Sequence, residues 1–367
     1  MKLKCNQADL SLALTLVNRA VSPNTTLPVL NNILLKAEGK KLFLCATNLE
    51  IAISASFEAE IENEGALTVP AKVLTAYVSL LEDKETRLSV LNGNTLNVQS
   101  KGSNTKVKGI SGEEFPLLPK LENPDVFKFP VKPFLDALSM VTFAASTNIS
   151  RPILTGIYWQ IRGNIVKIAA TDSYRLAEKK ITLEKDQNLD LNFLLPSKTA
   201  VELEKILSTA VEPDFEVRIA KGQALFKVDG VELMSRLLEG NFPDYEKILP
   251  KESKTTASIQ KEEFILALKK ISVIVRENNN NVKVKVQRGE VAISSEETQV
   301  GQGAFEVPAE VSGETVETAL NAQYLLEVLA HLNGASINLG LNDNIAPVTV
   351  GAATSGDYLH IIMPLKV

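Results

Sequence analysis

"PVLNNILLKAEGKKLFLCATN" (residues 28–48) and "PILTGIYWQIRGNIVKIAATD" (residues 152–172) are two versions of one pattern. They align without a gap, so that Gly39 falls on Gly163. Alternating apolar residues on both sides of the glycine predict a proline-led strand, a turn and a second strand. A third stretch, "NVKVKVQRGEVAISSEET" from Asn281, keeps the strand, turn, strand pattern without the proline. The chain therefore repeats one supersecondary unit three times.

Predicted helices flank each of these strand pairs. Three segments that precede the strand pairs carry apolar residues at helical spacing: "LSLALTLVNRAV" (10–21), "FLDALSMVTFAA" (134–145) and "FILALKKISVIV" (264–275). A second helix follows in each copy and begins near Pro70, Pro196 and Asn321, because proline suits the first turn of a helix and asparagine caps it. A strand pair closes each copy, as in "DFEVRIAKGQALFKVDG" (214–230), where Lys-Gly predicts a hairpin turn.

This order predicts an α+β fold made of three tandem copies of one domain, each with two helices packed on antiparallel sheet. Phe-Pro linkers, "EEFPLLPKLENP" and "GNFPDYEKILPKE", end the first two copies. We therefore predict domains at residues 1–121, 122–250 and 251–367.

The composition is that of an ordinary globular protein, with 45% apolar and 23% charged residues among 367. No apolar run reaches the ~18 residues of a membrane span, and the N-terminus lacks a signal-peptide pattern, so we expect a cytoplasmic protein without a membrane partner. Cys5 and Cys45 are too few for a disulfide scaffold. The net charge of −5 excludes a basic surface over the whole body, so any nucleic-acid contact must be local.

Signs of catalysis are missing from the sequence. The two histidines, His331 and His360, belong to no cluster with metal-ligand spacing, and we predict packing or surface roles for them. Gly-x-Gly-x-x-Gly, P-loop and Gly-x-Ser-x-Gly patterns do not occur. We therefore predict no catalytic residue, no metal and no cofactor. One alternative is a metal-dependent carboxylate hydrolase or nuclease using a pair such as Glu296 and Glu297, and another is a monomeric repeat scaffold without a DNA role.

Three segments stand out from the repeat: "TDSYRLAEK" (171–179), "EGNFPDYEKILP" (239–250) and the terminal "HIIMPLKV" (360–367). Taken alone, each segment has a purely structural explanation. The first would be a turn whose Arg175 pairs with a nearby carboxylate, the second a linker folded on the sheet, and the third a closing strand. Together they favour an adaptable apolar groove, for which methionine, proline and aliphatic side chains are suited.

With "LPVLNNILL", "RPILTGI" and "LNAQYLLEVL", these segments resemble the bacterial sliding clamp family, the beta subunits of replicative DNA polymerase III, over the whole chain. The resemblance implies a head-to-tail ring dimer in which six domains surround duplex DNA, with helices lining the hole. It implies a non-enzymatic processivity factor that tethers replicative and repair polymerases, at replication forks on the nucleoid. A ring holds DNA by topology, so weak contacts that are independent of DNA sequence suffice.

The resemblance also implies a pocket between the second and third domains for Gln-Leu-x-Leu-Phe-like peptides. The partners it implies are the alpha subunit of DNA polymerase III, the clamp loader delta subunit, and other polymerases or repair proteins. The deep apolar part would consist of Leu154, Thr171, Leu176, Pro243, Ile248, Ile361 and Ile362. The frame, the rim and the shallow entry would consist of Ser173, Tyr174, Arg175, Lys247, Met363, Pro364, Leu365, Lys366, Asn321, Tyr324, Ile345 and Pro347.

Two further surfaces follow from the same resemblance. Lys72 and Lys198 share one slot at the start of the second helix, where the helix dipole disfavours a cation, so helix stability does not explain a lysine repeated there. The residues that would face DNA are Asn24, Lys72, Asn148, Arg151, Lys198 and Lys205. The dimer interface would join Thr105, Val107 and Ile110 of one subunit to Val273 and Ile274 of the other.

Overall fold

The computed structural model describes residues 1–22, 27–119, 121–186, 190–297, 299–352 and 356–365. The first copy of the repeat contains helices α1 (Gln7–Val17) and α2 (Ala71–Ser79) and strands β1 (Lys2–Asn6), β2 (Asn32–Glu38), β3 (Lys41–Thr47), β4 (Ile51–Glu58), β5 (Glu60–Asn63), β6 (Gly65–Pro70), β7 (Glu85–Leu91), β8 (Thr95–Ser100), β9 (Ser103–Lys108) and β10 (Ile110–Ser111).

The other two copies have the same plan. The second contains α3 (Val131–Val141), α4 (Ser197–Leu207), β11 (Asp125–Pro130), β12 (Gly156–Arg162), β13 (Ile165–Thr171), β14 (Arg175–Thr182), β15 (Asp190–Pro196), β16 (Asp214–Ala220), β17 (Gln223–Val228) and β18 (Val231–Arg236). The third contains α5 (Lys261–Val275), α6 (Ala322–His331), β19 (Thr255–Gln260), β20 (Asn281–Gln287), β21 (Glu290–Ser294), β22 (Ala304–Ser312), β23 (Val316–Asn321), β24 (Ser336–Leu341), β25 (Val348–Ala352) and β26 (Tyr358–Ile362). The α+β fold of three tandem copies is confirmed.

Two local details differ from the sequence predictions. Pro28 and Pro152 do not open strands but short 3₁₀ helices, Pro28–Asn31 and Pro152–Thr155, because proline fixes φ near the helical value and donates no N–H to a strand ladder. Pro70 lies at the cap position just before α2, outside its first turn. The Lys-Gly hairpin is confirmed: Lys221 and Gly222 have φ of +44° and +75°, as a tight two-residue turn requires.

The chain divides into two compact units, each of which contains strands from more than one copy. The first comprises Met1–Lys132 and Val201–Leu237. Its described residues form a five-stranded sheet in the order β5-β1-β7-β8-β9 and a nine-stranded sheet in the order β10-β6-β2-β3-β4-β18-β17-β16-β11. Strand β4 of the first copy pairs with β18 of the second copy, antiparallel, with Ala55 opposite Val231.

The second unit comprises Pro133–Ala200 and Leu238–Val367. Its described residues form a twelve-stranded sheet in the order β15-β12-β13-β14-β26-β25-β24-β19-β22-β21-β20-β23. The single tryptophan, Trp159, is fully buried there and stacks between Phe134 and Phe193, with ring centroids 5.4 and 5.3 Å away. Because the units cut across the repeat, the domain limits at residues 121 and 250 stay a prediction.

Helices within the described ranges are too short or too polar to cross a bilayer.

Candidate functional site

A tight turn joins β13 to β14 and sets the direction of the side chains around it. The hydroxyl of Thr171 donates to the carbonyl of Arg175 at 2.6 Å and accepts from the N–H of Ser173 at 3.1 Å. Asp172 Oδ1 accepts from the N–H groups of Tyr174 and Arg175 at 2.9 and 3.0 Å. Ser173 adopts φ +80°. The turn leaves Tyr174 58% exposed at its tip while Arg175 points inward.

Arg175 is a buried cation, 8% exposed, and its charge is fully compensated. Its Nε lies 3.0 Å from Asp172 Oδ2, and its Nη1 forms an ion pair with Glu327 of α6. Its Nη2 donates to the carbonyl of Phe143 at 2.9 Å, and the guanidinium lies 4.4 Å from the centre of the Tyr324 ring. The predicted carboxylate partner is therefore Asp172, and a second, Glu327, comes from a helix 152 residues away in sequence.

The predicted deep apolar residues lie on two faces of the sheet. Leu176 and Ile361 are cross-strand partners of β14 and β26, and both join Tyr245 in one buried cluster. Ile362 is the partner of Arg175 instead, and successive strand residues point to opposite faces. Ile361 and Ile362 therefore point to opposite faces of the sheet, and their common place in the peptide pocket stays a prediction.

The segment 239–250 folds back on this sheet, as expected for a linker between two copies. Phe242 stacks on Tyr158 with ring centroids 5.0 Å apart, and the buried Tyr245 hydroxyl donates to the Glu178 carboxylate. Burial, followed by this hydrogen bond, raises the pKa of Tyr245. Beside the cluster, Pro243 and Ile248 are exposed, Ile248 by 50%, and Lys247 is exposed and pairs with Asp244 at 2.7 Å.

The C-terminal segment runs from β26 along the turn at residues 172–174. The N–H of Met363 donates to the carbonyl of Tyr174, and that of Leu365 donates to the carbonyl of Ala319, both at 2.8 Å. Met363, Pro364 and Leu365 are each half-buried. Lys366 lies outside the described residues.

The residues predicted to bound the shallow entry are spread along the third copy. Asn321 caps α6 by accepting from the N–H groups of Gln323 and Tyr324 at 2.8 and 3.3 Å. Ile345 is 76% exposed, and Pro347 is half-buried. Leu154, predicted for the deep part, lies within the 3₁₀ helix Pro152–Thr155 and is 8% exposed.

An open groove of about 640 Å³ joins two sets of residues that the sequence kept separate. It is lined by Tyr174, Arg175 and Tyr324 from the predicted pocket and by Asn148 and Arg151 from the predicted DNA surface. Arg151 Nη1 donates to the hydroxyl of Ser173 at 3.1 Å, so the two sets are hydrogen-bonded to each other. The sequence did not indicate Phe143 and Glu327, which also line this groove, because nothing in local periodicity links them to Arg175.

The two histidines pack near Arg175. His360 is fully buried and its Nδ1 lies 3.3 Å from the Tyr358 hydroxyl, and His331 stacks on Phe143 at 4.6 Å between ring centroids. Burial lowers the pKa of His331, and it lowers that of His360 to about 3.

The predicted DNA-facing lysines differ in their surroundings. Lys72 and Lys198 are exposed in the first turn of α2 and α4. Lys205 is half-buried and pairs with Glu202 at 2.9 Å, and Glu202 also meets Arg19 at 3.3 Å. Asn24 lies outside the described residues.

The predicted dimer residues lie on a sheet edge and on a helix. Thr105 and Val107 belong to β9, which ends the five-stranded sheet, and Ile110 belongs to β10 at the end of the nine-stranded sheet. Val273 of α5 is 79% exposed, and the neighbouring Ile274 is half-buried.

Three family models match successive parts of the chain. The DNA polymerase III beta subunit N-terminal domain matches residues 1–119, the central domain residues 128–244 and the C-terminal domain residues 246–366. Among curated proteins, the chain is 31% identical over 373 residues to a beta sliding clamp of Synechococcus elongatus, with 100% of this chain and 99% of that protein covered. It is 30% identical over 359 residues to that of Staphylococcus aureus, covering 95% and 94%.

Solved structures agree with this. The DNA polymerase sliding clamp from Bacillus subtilis is 28% identical, with a TM-score of 0.94 and coverage of 100% of this chain and 99% of that one. The DNA polymerase III beta subunit from Thermotoga maritima gives 25% identity, the same TM-score of 0.94, and coverage of 100% and 99%. The chain therefore belongs to the beta sliding clamp family of DNA polymerase III beta subunits.

Proposed function

We propose that this chain acts as a homodimeric sliding clamp that encircles duplex DNA and tethers DNA polymerases to it. Its family consists of non-enzymatic processivity factors, so the chain is not an enzyme, and neither the hydrolase nor the monomeric scaffold is supported. Glu296, one carboxylate of the hydrolase alternative, is in an ion pair with Lys283 at 3.1 Å. Tethering works by raising the effective concentration of the polymerase at its template. We place this activity in the cytoplasm, at the nucleoid.

The observation that carries the dimer is a strand junction that occurs twice. β4 of the first copy pairs with β18, the last strand of the second, and β14 of the second pairs with β26, the last strand of the third. In the third copy the strand that corresponds to β4 and β14 is β22. In the described part of the chain, residues 304–308 of β22 pair with β21 on one edge, and their other edge is unpaired. β9, the last long strand of the first copy, pairs only with β8 there.

The unpaired edges of β9 and β22 could form a further strand junction between two subunits. Pairing β9 of one subunit with the β22 edge of a second would repeat the same junction head to tail, and two such junctions would close a ring and remove exposed sheet edges. Ile274 lies beside this edge, since a Cβ on Gly303 would come within 2.8 Å of its Cδ1. The exposed Val273 is its neighbour on α5, which supports the predicted interface at Thr105, Val107, Ile110, Val273 and Ile274.

A native-mass measurement tests the dimer. We expect two chains per particle at micromolar concentration, and a shift towards one chain for Val273→Asp, because a carboxylate there would be buried against the partner. Val211→Asp is the matched control, since Val211 is 91% exposed and belongs to none of β9, β22 and α5. A wild-type particle of one chain, or equal masses for both variants, would contradict the proposed interface.

For DNA, we propose weak phosphate contacts from Lys72 and Lys198. We propose that Asn24, Asn148, Arg151 and Lys205 also face the DNA. Both lysines are exposed at helix N-termini, where backbone N–H groups add to their positive charge. Lys205 pairs with Glu202, and the carboxylate offsets part of the attraction between this lysine and a phosphate.

For partner proteins, we propose that the exposed Tyr174, Pro243 and Ile248 and the half-buried Met363 receive a Gln-Leu-x-Leu-Phe-like peptide. The remaining predicted pocket residues, Ile362 among them, would frame it. The alpha subunit of DNA polymerase III, the clamp loader delta subunit and repair proteins are the partners we propose. The apolar cluster beneath, with Leu176 and Ile361, gives the floor that such anchors need.

Binding of a fluorescent Gln-Leu-Asp-Leu-Phe peptide tests this pocket. We expect saturable binding by the wild type that is weakened at least about tenfold by Ile248→Asp and by truncation after Ile362. Truncation at this residue keeps β26, whereas an earlier stop would remove a strand from the middle of the sheet. Leu80→Asp, at a residue 78% exposed on the other unit, is the control. Undiminished binding by both variants would refute the site.

A further inference from the structure

A second groove lies in the first unit, at the junction of β4 with β18. It has a volume of about 210 Å³ and is lined by apolar and charged residues together. Those that the argument uses are Thr47, Leu49, Glu50, Leu117, Met234 and Arg236.

The turn that borders this groove has the same hydrogen bonds as the turn at residues 171–175. The Thr47 hydroxyl donates to the carbonyl of Ile51 at 2.7 Å and accepts from the N–H of Leu49 at 3.0 Å. Asn48 Oδ1 accepts from the N–H of the residue before Ile51 and from that of Ile51 itself, at 2.9 and 2.8 Å. Leu49 adopts φ +73°, against +80° in the other turn.

The strand that ends beside each turn is held in the same way. The N–H of Arg236 donates to the carbonyl of Glu50 at 3.1 Å, and the N–H of Met363 donates to the carbonyl of Tyr174 at 2.8 Å. In each case the donor is the residue that ends or follows the junction strand. The backbone frame of the proposed peptide pocket is thus built twice in this chain.

The linker after the first copy completes the groove as segment 239–250 does in the second. Phe115 is buried in a cluster with Val29 and Cys45, against which Leu118 packs. Leu117, between them in sequence, is 98% exposed, and Leu49, which also lines the groove, is 50% exposed. Two large exposed apolar side chains in the lining of one concave surface favour an apolar occupant.

The charges differ from those of the first pocket and indicate which occupant fits. Ile51 stands where the other turn has the buried Arg175, so the floor has no cation. Arg236 and Glu50 are exposed on the rim, and neither side chain forms an ion pair within the described ranges. At about 210 Å³ the groove is smaller than the ~300 Å³ or more typical of small-molecule sites, and it suits one anchor side chain.

We propose that this groove is a second peptide-docking site of the clamp, which takes a short extended peptide of a protein partner. The peptide has one aliphatic or aromatic anchor between Leu49 and Leu117, next to an acidic residue that pairs with Arg236. This inference rests on the proposed function, since its analogy is the peptide pocket of the second unit.

Titration calorimetry with the peptide Gln-Leu-Asp-Leu-Phe tests the two sites separately. We expect a tighter and a weaker class of sites on the 367-residue chain. Ile248→Asp should weaken the tighter class at least about tenfold and leave the weaker class, whereas Leu117→Asp should weaken only the second class by a similar factor. Leu80→Asp, which replaces a leucine of similar exposure away from both grooves, should change neither class.

A charge exchange tests the predicted role of Arg236. With Arg236→Glu, the peptide Gln-Leu-Lys-Leu-Phe should bind the weaker site better than Gln-Leu-Asp-Leu-Phe, the reverse of the wild-type order. A single class of sites that only Ile248→Asp weakens would overturn the second site and leave the proposed function standing. If wild type binds neither peptide, both the pocket and this inference fail.

Discussion

Replacing Arg175 by methionine should destabilise the second unit far more than the loss of an exposed ion pair. The guanidinium is 8% exposed and meets two carboxylates, a backbone carbonyl and the face of Tyr324. Methionine has a similar length, so the change removes the charge and the donors with little loss of packing. What remains is two partly buried carboxylates without the cation that each of them contacts.

The expected cost follows from the exposure of those carboxylates. Breaking a fully buried ion pair from one side costs ~3–5 kcal/mol. The side chains of Asp172 and Glu327 are 15% and 32% exposed, so water compensates part of the loss, and we expect about 2–4 kcal/mol. For a unit of this size that corresponds to a drop of roughly 5–15 °C in midpoint temperature.

The fluorescence of Trp159 provides the assay, because it is the chain's one tryptophan and is buried in the same unit. Arg162→Met is the matched control: its ion pair with Asp190 at 3.2 Å joins side chains that are 61% and 69% exposed, and its loss should cost at most about 0.5 kcal/mol. Adding Glu327→Gln to Arg175→Met should recover part of the loss, since it removes one of the unpaired charges. Equal midpoints for Arg175→Met and Arg162→Met would refute the reasoning.

Three further predictions concern protonation, a buried hydroxyl and DNA. Burial lowers the pKa of His360 to about 3, so the stability it contributes is complete well above its unfolded value near 6.5 and is lost as the pH falls below that. His360→Phe should remove a dependence that averages about 1.1 kcal/mol per pH unit between pH 6.5 and 5, and parallel pH profiles of unfolding would contradict this. Tyr245→Phe deletes a buried hydroxyl that donates to a carboxylate of β14, and we expect a loss of about 1–2 kcal/mol by the same Trp fluorescence, with no change in midpoint counting against the bond. Lys72→Gln with Lys198→Gln should reduce the slope of log affinity for duplex DNA against log salt by about 1.8 for each subunit of the ring, and Lys205→Gln, already ion-paired, should reduce it by less. An unchanged slope in the double variant would remove both lysines from the DNA surface.

Local features of the fold could be predicted from the sequence because they depend on neighbours along the chain. Alternation around Gly39 and Gly163 indicated strand pairs, and the Lys-Gly dipeptide at 221–222 indicated its hairpin. Asn321 marked the start of α6, where its side chain accepts from the first-turn N–H groups. The proline-led segments were wrong in detail, because proline's fixed φ fits a 3₁₀ turn as well as an extended start.

Contacts between residues that are distant in sequence could not be predicted from these local patterns. The partner of Arg175 on α6, Glu327, lies 152 residues away, and one glutamate among many carries no local sign of that role. Ile361 and Ile362 look alike in sequence, yet the register of β26 against β14 sends them to opposite faces. The groove that joins Arg151 to the turn at Ser173 likewise exists only when both are folded.

The sequence by itself thus determined the threefold repeat, the helix and strand types, the absence of catalytic motifs and the resemblance to one family, because periodicity, turn residues and motifs are properties of short stretches. Only the tertiary structure decided that β4 pairs with β18 and β14 with β26, which puts the same backbone frame at two junctions. The reason is physical: strand registers and ion pairs between distant residues are chosen by the packing of whole sheets, and no short stretch of chain contains that information.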